Sequence, residues 1–348
     1  MTPMNLLQVV RRYGPVGGME RYVWELSREL AGMGHDVTVL CEALYADAPP
    51  QGVRVIELGT VTAKPRWLAH LRFSRRVSRW VTDHPDPQRI IHSHERTAVH
   101  HVTTFHGPPF AAVRSKPWWK RLSLRIAVNL WLEKREVCAP QVQAVVPNSF
   151  MIGEALTSHY PCIGSRMVAP VAPGVGDIPP RPPRNIAENG GIIGFVGKEW
   201  RRKGLDTAVA IVAAARKTRP DLKMMVAGPQ PAEIEHLFTG WTGGYQLLGQ
   251  TDSTPLYARF DLLLHPARQE PYGMVIAEAR AAGVPVLVSD ACGIACELPP
   301  SAVMQEDAPV ASWAQATLEL LGTTCEPAMR SWRDVAKEQL RCYQQLQR

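Results

Sequence analysis

The chain has 348 residues, of which 45% are hydrophobic and 20% charged, and it carries a formal net charge of +7 at pH 7. This length predicts two domains of ordinary size, and the composition excludes disordered, collagen-like and disulfide-scaffold proteins. No apolar stretch of about 18 residues occurs and the opening MTPMNLLQVVRRYG has no signal-peptide layout, so neither a membrane-spanning nor a secreted protein is expected. The seven cysteines (Cys41, Cys138, Cys162, Cys292, Cys296, Cys325 and Cys342) are odd in number and scattered, as free thiols in a reducing cytosol would be. Cys292 and Cys296 are the one close pair, without the further ligands zinc needs, so no metal is expected.

Charge is unevenly spread. Between residues 61 and 140, fifteen lysines and arginines face five acids (Asp83, Asp86, Glu95, Glu133 and Glu136), a net of +10, while the remainder is slightly acidic. Such a block predicts an anionic partner for the first half: a membrane surface, a phosphorylated glycolipid or nucleic acid.

In chain order, residues 4–10 (MNLLQVV) predict a strand, followed by RRYGPVGGMER and a helical pattern of Tyr22, Leu26, Leu30 and Met33 that Gly34 stops. Residues 35–40 (HDVTVL) predict the next strand, giving the βαβ order of a parallel doubly wound sheet. Gly14, Gly17 and Gly18 make a glycine-rich turn where backbone can approach a ligand and the helix start favours negative charge. The spacing is not G-x-G-x-x-G, and no acid closes the following strand as a ribose-binding group should, Glu42 being nearest. A nicotinamide-dependent dehydrogenase is therefore not expected.

Residues 53–58 predict a strand, and 66–81 a helix with Trp67, Leu71, Val77 and Trp80 near one face and arginines on the other. Strands at 89–92 and 102–105 end in SHERT and in His106-Gly107-Pro108. His92, His94 and His106 thus stand at carboxyl ends of neighbouring strands, the side where open α/β sheets bind ligands. His106, followed by Gly-Pro at a strand tip, is the candidate functional histidine. Residues 111–137 predict one long basic amphipathic stretch bearing Trp118, Trp119 and Trp131 with Lys116, Lys120, Arg121 and Arg125. It fits a helix at a lipid interface or, equally, a helix on the sheet with a solvated basic face. Residues 142–146 and 166–169 predict two closing strands.

Residues 170–191 (PVAPGVGDIPPRPPRNIAENGG) hold six prolines and four glycines and read as a hinge. The expected division is 1–169 as the first domain, 170–191 as hinge, 192–328 as the second domain, and a terminal amphipathic helix at 329–348 packing back on the first. The second half restarts with a strand at 192–196, the turn GKEWRRKG and a helix from Leu205. Arg202 and Lys203 in that turn can neutralise a diphosphate, arginine through paired donors and lysine as a point charge. Strands at 222–227 and 246–248 repeat the strand-turn-helix pattern. Residues 261–293 then combine a strand (261–265), Glu270 in a loop, Pro271-Tyr272-Gly273 opening a helix that carries Glu278, and a strand at 286–289. Residues 309–321 predict a further helix.

Arg202-Lys203-Gly204 together with HPARQEPYGMVIAEARAAGVPVL resembles the retaining glycosyltransferases of family 4, which have the GT-B fold of two facing Rossmann-like domains, parallel doubly wound sheets with a cleft between them. VGKEWRRKGLD, LHPARQE and ACG resemble the branch that glucosylates lipopolysaccharide-core heptose, while GPVGGMER, HSHE and TFHG match the general family pattern. The resemblance implies that Glu270 meets the donor sugar's hydroxyls and Glu278 the ribose. It places Arg202 and Lys203 on the diphosphate and the backbone N–H groups of Tyr272, Gly273, Met274 and Val275 around sugar and phosphate. It puts Gly17 and Gly18 in a loop approaching the diphosphate, and His106 beside the reacting centre and the acceptor. One departure is PGVGD at 173–177, where the family often has an Asn-Gly-Val-Asp run.

The expectation is hexose transfer from a nucleotide-diphosphate sugar, a UDP-sugar such as UDP-glucose favoured, to a cell-envelope glycolipid in lipopolysaccharide-core or surface polysaccharide biosynthesis. It takes place with retention, at the inner face of the cytoplasmic membrane, to whose anionic surface the enzyme binds peripherally from the cytoplasm. No Asp-x-Asp occurs, so the fixed cations would replace a divalent metal, and no cofactor besides the donor co-substrate is expected. The rival readings are a nucleotide-sugar epimerase or soluble sugar-sugar transferase on the same fold, and a non-catalytic membrane-surface protein. Nucleic acid is not expected as a partner, because no binding module is recognisable.

Overall fold

The structure is a computed structural model that describes residues 3–62, 64–115 and 117–346, without the side chains of residues 120 and 121. Lys116 of the basic block, the last two residues of the 329–348 segment, and the side chains of Lys120 and Arg121 lie outside what is described. The chain divides into two compact units, Met1–Gly174 with Ser331–Arg348, and Val175–Arg330. The boundary falls inside the proline-rich stretch, most of which goes with the second unit.

The first unit contains β1 (Asn5–Val9), β2 (Arg12–Tyr13), β3 (Asp36–Cys41), β4 (Ala43–Leu44), β5 (Val53–Glu57), β6 (Ile90–Ser93), β7 (Val102–Phe105) and β8 (Ala144–Pro147). Its helices are α1 (Gly18–Gly32), α2 (Arg66–Asp83), α3 (Leu124–Cys138) and α4 (Phe150–His159). Six strands pair in the order β5-β3-β1-β6-β7-β8, all parallel, with β2 and β4 in a separate small pair. Parallel strands covered on both faces read as continuous apolar runs, and β8 (AVVP) and β7 (VTTF) are buried throughout. Chain order reverses between β1 and β6, which makes the carboxyl ends of those two strands the topological switch point.

The second unit has β9 (Ile192–Val196), β10 (Lys223–Ala227), β11 (Tyr245–Leu247), β12 (Leu262–His265), β13 (Val286–Ser289) and β14 (Val303–Met304). These form the sheet β11-β10-β9-β12-β13-β14, again parallel, with its switch point between β9 and β12. Its helices are α5 (Leu205–Ala215), α6 (Pro231–Ile234), α7 (Thr254–Tyr257), α8 (Met274–Ala281) and α9 (Val310–Leu320). The core gathers Ile193, Phe195, Leu262 and Leu264 from the sheet with Leu205, Val212 and Trp313 from α5 and α9. Gly194 lets Phe260 lie against β9, since a Cβ there would stand 2.3 Å from the ring.

The terminal helix α10 (Trp332–Leu346) belongs to the first unit, where Val335, Ala336, Leu340 and Tyr343 are buried and it packs on α1. Two sequence expectations are corrected. The single amphipathic element at 111–137 is broken into short 3-10 turns at Phe110–Ser115 and Trp118–Arg121 before α3 begins at Leu124. Pro117 accounts for the break, because it lacks the N–H that a helix interior needs. The strand expected at 166–169 is only an isolated bridge between Met167 and Val145. Helix α4, which the sequence reading left unassigned, starts at Ser149, whose hydroxyl caps the N–H of Ile152. No helix among the described residues is long and apolar enough to cross a membrane.

Candidate active site

In the second unit, the loops leaving β9 and β12 meet at the switch point. The turn after β9 carries Arg202 and Lys203, and its glycines are sterically required. A Cβ on Gly197 would lie 2.1 Å from the Lys203 stem, and one on Gly204, at φ 73°, would lie 1.9 Å from the Pro266 carbonyl oxygen. The turn is sewn to the β12 loop by Arg268, whose N–H donates to the Arg202 carbonyl and whose guanidinium clasps Asp206 at 2.7 and 3.0 Å. As a result Lys203 Nζ lies 2.5 Å from Glu270 Oε2 and Arg202 Nη1 3.5 Å from the same oxygen. Arg202 also pairs with Glu199 at 2.6 Å and donates to the Gln269 carbonyl.

Glu270 is 7% exposed and held on the backbone as well, its N–H donating to Ala291 O and its carbonyl accepting from Gly293. The ACG stretch thereby fixes the carboxylate from below. Behind it sits His265, fully buried at the end of β12, with Nε2 3.5 Å from Glu270 Oε2. Burial by itself would raise the Glu270 carboxyl, but His265 and Lys203 outweigh it and hold the group at about 2. Burial also lowers His265, so the pair consists of a carboxylate and an imidazole kept neutral.

Gly273 precedes α8 at φ 111°, where a Cβ would come 2.7 Å from Ile276 Cδ1. This left-handed residue turns the chain so that the helix starts beside Glu270. The N–H groups of Met274 and Val275 lie in the first turn, before any intrahelical acceptor is available, and carry the positive end of the helix dipole. The Tyr272 side chain turns to Glu297, its hydroxyl 3.3 Å from the carboxylate, so only its backbone faces the helix start. Glu278, 8% exposed, accepts from the fully buried Tyr257 hydroxyl at 2.7 Å. The structure therefore brings Arg202, Lys203, Glu270, Tyr272, Gly273, Met274, Val275 and Glu278 into the loops and helix around one switch point. His265 and Tyr257 were missed by sequence reasoning. His265 opens the quoted HPARQE run and could have been suspected; Tyr257 has no local signal at all.

In the first unit, His106 follows β7 and is half-buried, with His94 Nδ1 2.9 Å from its Nε2. Burial pushes His106 down to about 3, which keeps it neutral. Asn148, at the end of β8, donates to the His106 carbonyl at 3.2 Å, and the Tyr22 ring packs edge-on at 4.9 Å between centroids. His92 and His94 are buried hydrogen-bonding residues. Gly17 is the N-cap of α1, and a Cβ there would meet the Glu20 carboxylate at 2.4 Å; Gly18 has open space around it. Glu20 in turn pairs with Arg12. Among the described residues no group of three or more histidines, cysteines, aspartates or glutamates gathers as a metal site.

Two parallel six-stranded sheets, each with a cluster of loops at its switch point, define a doubly wound α/β protein, the class in which such loops are where ligands bind. The sequence matches the family model Glycosyltransferase Family 4 over residues 16–176 and the model Glycosyl transferases group 1 over residues 190–323. The glycogen synthase of Mycobacterium tuberculosis is 26% identical over 337 residues, covering 84% of this chain and 79% of that one. Lipopolysaccharide glucosyltransferase WaaG of Escherichia coli K12 is 34% identical over 120 residues, 33% of this chain and 32% of that one. A crystal structure of WaaG superposes with a TM-score of 0.75 at 21% identity, covering 96% of this chain and 94% of that one. The Anabaena protein Alr3699/HepE in complex with UDP-glucose superposes with a TM-score of 0.71 at 15% identity, covering 98% and 100%. The chain belongs to glycosyltransferase family 4 and has the GT-B fold.

Proposed function

We propose that this glycosyltransferase moves a hexose, with retention at the anomeric carbon and without a metal, from a UDP-sugar to a hydroxyl of an anionic cell-envelope glycolipid. The observation that carries the reading is the meeting of Lys203, Arg202 and Glu270 beside the first turn of α8. A carboxylate held ionised accepts from sugar hydroxyls. Lys203 has two N–H donors beyond the one it gives Glu270, and with Arg202 and the α8 N–H groups it can hold a departing diphosphate. Glu278, oriented by Tyr257, is the carboxylate that meets the ribose hydroxyls. Gly17 and Gly18 supply the loop that approaches the phosphates, and His106 meets a substrate hydroxyl. In the reaction the bond from the anomeric carbon to the diphosphate oxygen breaks and a bond to the acceptor oxygen forms on the same face. The acceptor proton passes to the leaving diphosphate, and the fixed cations take the charge a metal would otherwise carry.

UDP-glucose as donor is favoured by its presence in the Alr3699/HepE structure, and a lipopolysaccharide-core or surface-polysaccharide acceptor by the likeness to WaaG. An anionic membrane surface is favoured by the surface of the first unit. Glu95, Glu133 and Glu136 are buried and face Arg96 or His70 internally, whereas Arg72, Arg75, Arg79, Arg125 and Lys134 are exposed. Also exposed in the same basic half are Trp118, Trp119, Leu122, Leu124 and Trp131. Cations and amphipathic rings together suit a lipid interface, which supports a peripheral position at the inner face of the cytoplasmic membrane. A soluble glucan acceptor is the second reading, favoured by the long match to a glycogen synthase. The test is melting temperature against a panel of UDP-, GDP- and ADP-sugars, followed by transfer to a lipid-linked or a glucan acceptor. Stabilisation by a UDP-sugar and label in the lipid phase are expected; stabilisation by none of the panel refutes the donor site.

A further inference from the structure

Behind His106 runs an unbroken chain of buried hydrogen bonds that ends in the terminal helix. His94 Nδ1 is 2.9 Å from His106 Nε2, and His94 Nε2 is 3.0 Å from Gln8 Oε1 on β1. Gln8 Nε2 donates to the Tyr343 hydroxyl of α10 at 3.0 Å. That hydroxyl lies 2.6 Å from His92 Nδ1, and His92 Nε2 lies 2.8 Å from Thr104 Oγ1. Gln8, His92 and Tyr343 are fully buried and His94 nearly so. Burial and the neighbouring imidazoles keep both His92 and His94 neutral.

The proton positions follow from the amide. A carbonyl oxygen only accepts, so His94 Nε2 carries the proton and its Nδ1 is a bare acceptor. His106 Nε2 must then donate to it, leaving His106 Nδ1 without a proton. On the other side the Gln8 NH2 donates to Tyr343, whose hydroxyl also has the Gln339 amide beside it; with the phenol donating to His92 Nδ1, His92 Nε2–H donates to Thr104. Helix α10 also backs the outer side of the site, because Trp332 stacks edge-on with Tyr22, the ring that packs against His106.

We infer that Gln8, His94 and Tyr343 are positioning residues that hold His106 as the Nε2–H tautomer, so that its bare Nδ1 is what it offers a substrate hydroxyl. The inference deepens the proposed function and rests on His106 meeting substrate. The Tyr343 hydroxyl is the acceptor for the Gln8 amide N–H; without it that buried donor loses this partner, and turning the amide over to donate to His94 reverses the protons on His94 and His106 and puts an N–H where the lone pair is needed.

The experiment is long-range proton–nitrogen NMR at neutral pH on the full-length protein labelled in histidine nitrogen, with His106 assigned through His106→Gln. A protonated Nε2 and a bare Nδ1 on His106 are expected, and the opposite tautomer in the unmutated protein overturns the inference without recourse to any variant. In Tyr343→Phe, His106 is expected to become a mixture of both neutral tautomers, with kcat for sugar transfer reduced about 10-fold and donor KM little changed. An unaltered His106 tautomer in that variant also overturns it. A mixed tautomer with full transfer rate would uphold the relay while removing His106 from contact with substrate, so the two readings fail separately.

Discussion

At the scale of single residues, Lys203 and Glu270 form a contact of 2.5 Å in which each side chain is about nine-tenths buried. Each keeps the other charged in a place where an isolated charge would be expelled or neutralised. Replacing Lys203 by alanine removes a cation from the proposed diphosphate site and leaves Glu270 with Arg202 at 3.5 Å and neutral His265. Turnover is expected to fall by about 10²- to 10³-fold, with the melting temperature lowered by only a few degrees; near-normal transfer would exclude Lys203 from the leaving-group site. The two residues were legible in the sequence as separate donors and acceptors, because cations in a glycine-bracketed turn and an acid before Pro-Tyr-Gly are local patterns. That they touch was not legible: 67 positions separate them, and only the parallel pairing of β9 with β12 closes that distance.

At the scale of elements, the segment from Phe110 to Cys138 shows how one proline redirects a surface. With Pro117 in its path the chain makes two tight turns before α3, so Trp118 and Trp119 stand on a turn ahead of the helix that bears Trp131. Both rings are more than 60% exposed, next to Leu122 and Leu124 at 72% and 70%. Buried Glu133 anchors the same region from inside, its carboxylate accepting from the Ala111 and Phe110 N–H groups and, at 2.9 Å, from the Tyr160 hydroxyl. The double substitution Trp118→Ala and Trp119→Ala is expected to lower flotation with anionic liposomes at least several-fold while leaving UDP-sugar stabilisation unchanged. Equal flotation of the variant, or no flotation of the parent protein at low salt, would rule out this surface as the lipid contact.

At the scale of the whole molecule, titration distinguishes the two units. In the first unit His92, His94 and His100, all buried, and half-buried His106 are depressed below the ordinary 6.5, His100 to about 4 and His106 to about 3. Each is neutral when folded and gains a proton on unfolding below 6.5, so its contribution is present at neutral pH and lost as pH falls towards its folded value. Each such group removes up to about 1.4 kcal/mol per pH unit. Glu136 acts in the opposite sense: burial raises it to about 8, so its contribution is present at acid pH and lost as pH rises from the ordinary 4.5 through 8. The second unit has one buried depressed histidine, His265. Hydrogen exchange at pH 5 and pH 7 should therefore show the first unit losing protection at acid pH well before the second, and uniform loss across both would contradict this balance. The sequence by itself determined the class of fold, the positions of most strands and which charged side chains stand in the loops after β9 and β12, because apolar runs, glycine turns and charged tips are short-range patterns written within a few residues. The tertiary structure alone decided the ion pair at Glu270, the support from His265 and Tyr257, and the line from His106 through Gln8 to Tyr343. Those depend on which strands lie side by side and on a terminal helix returning to the first sheet, and such pairings have no period or spacing in the chain from which they could be read.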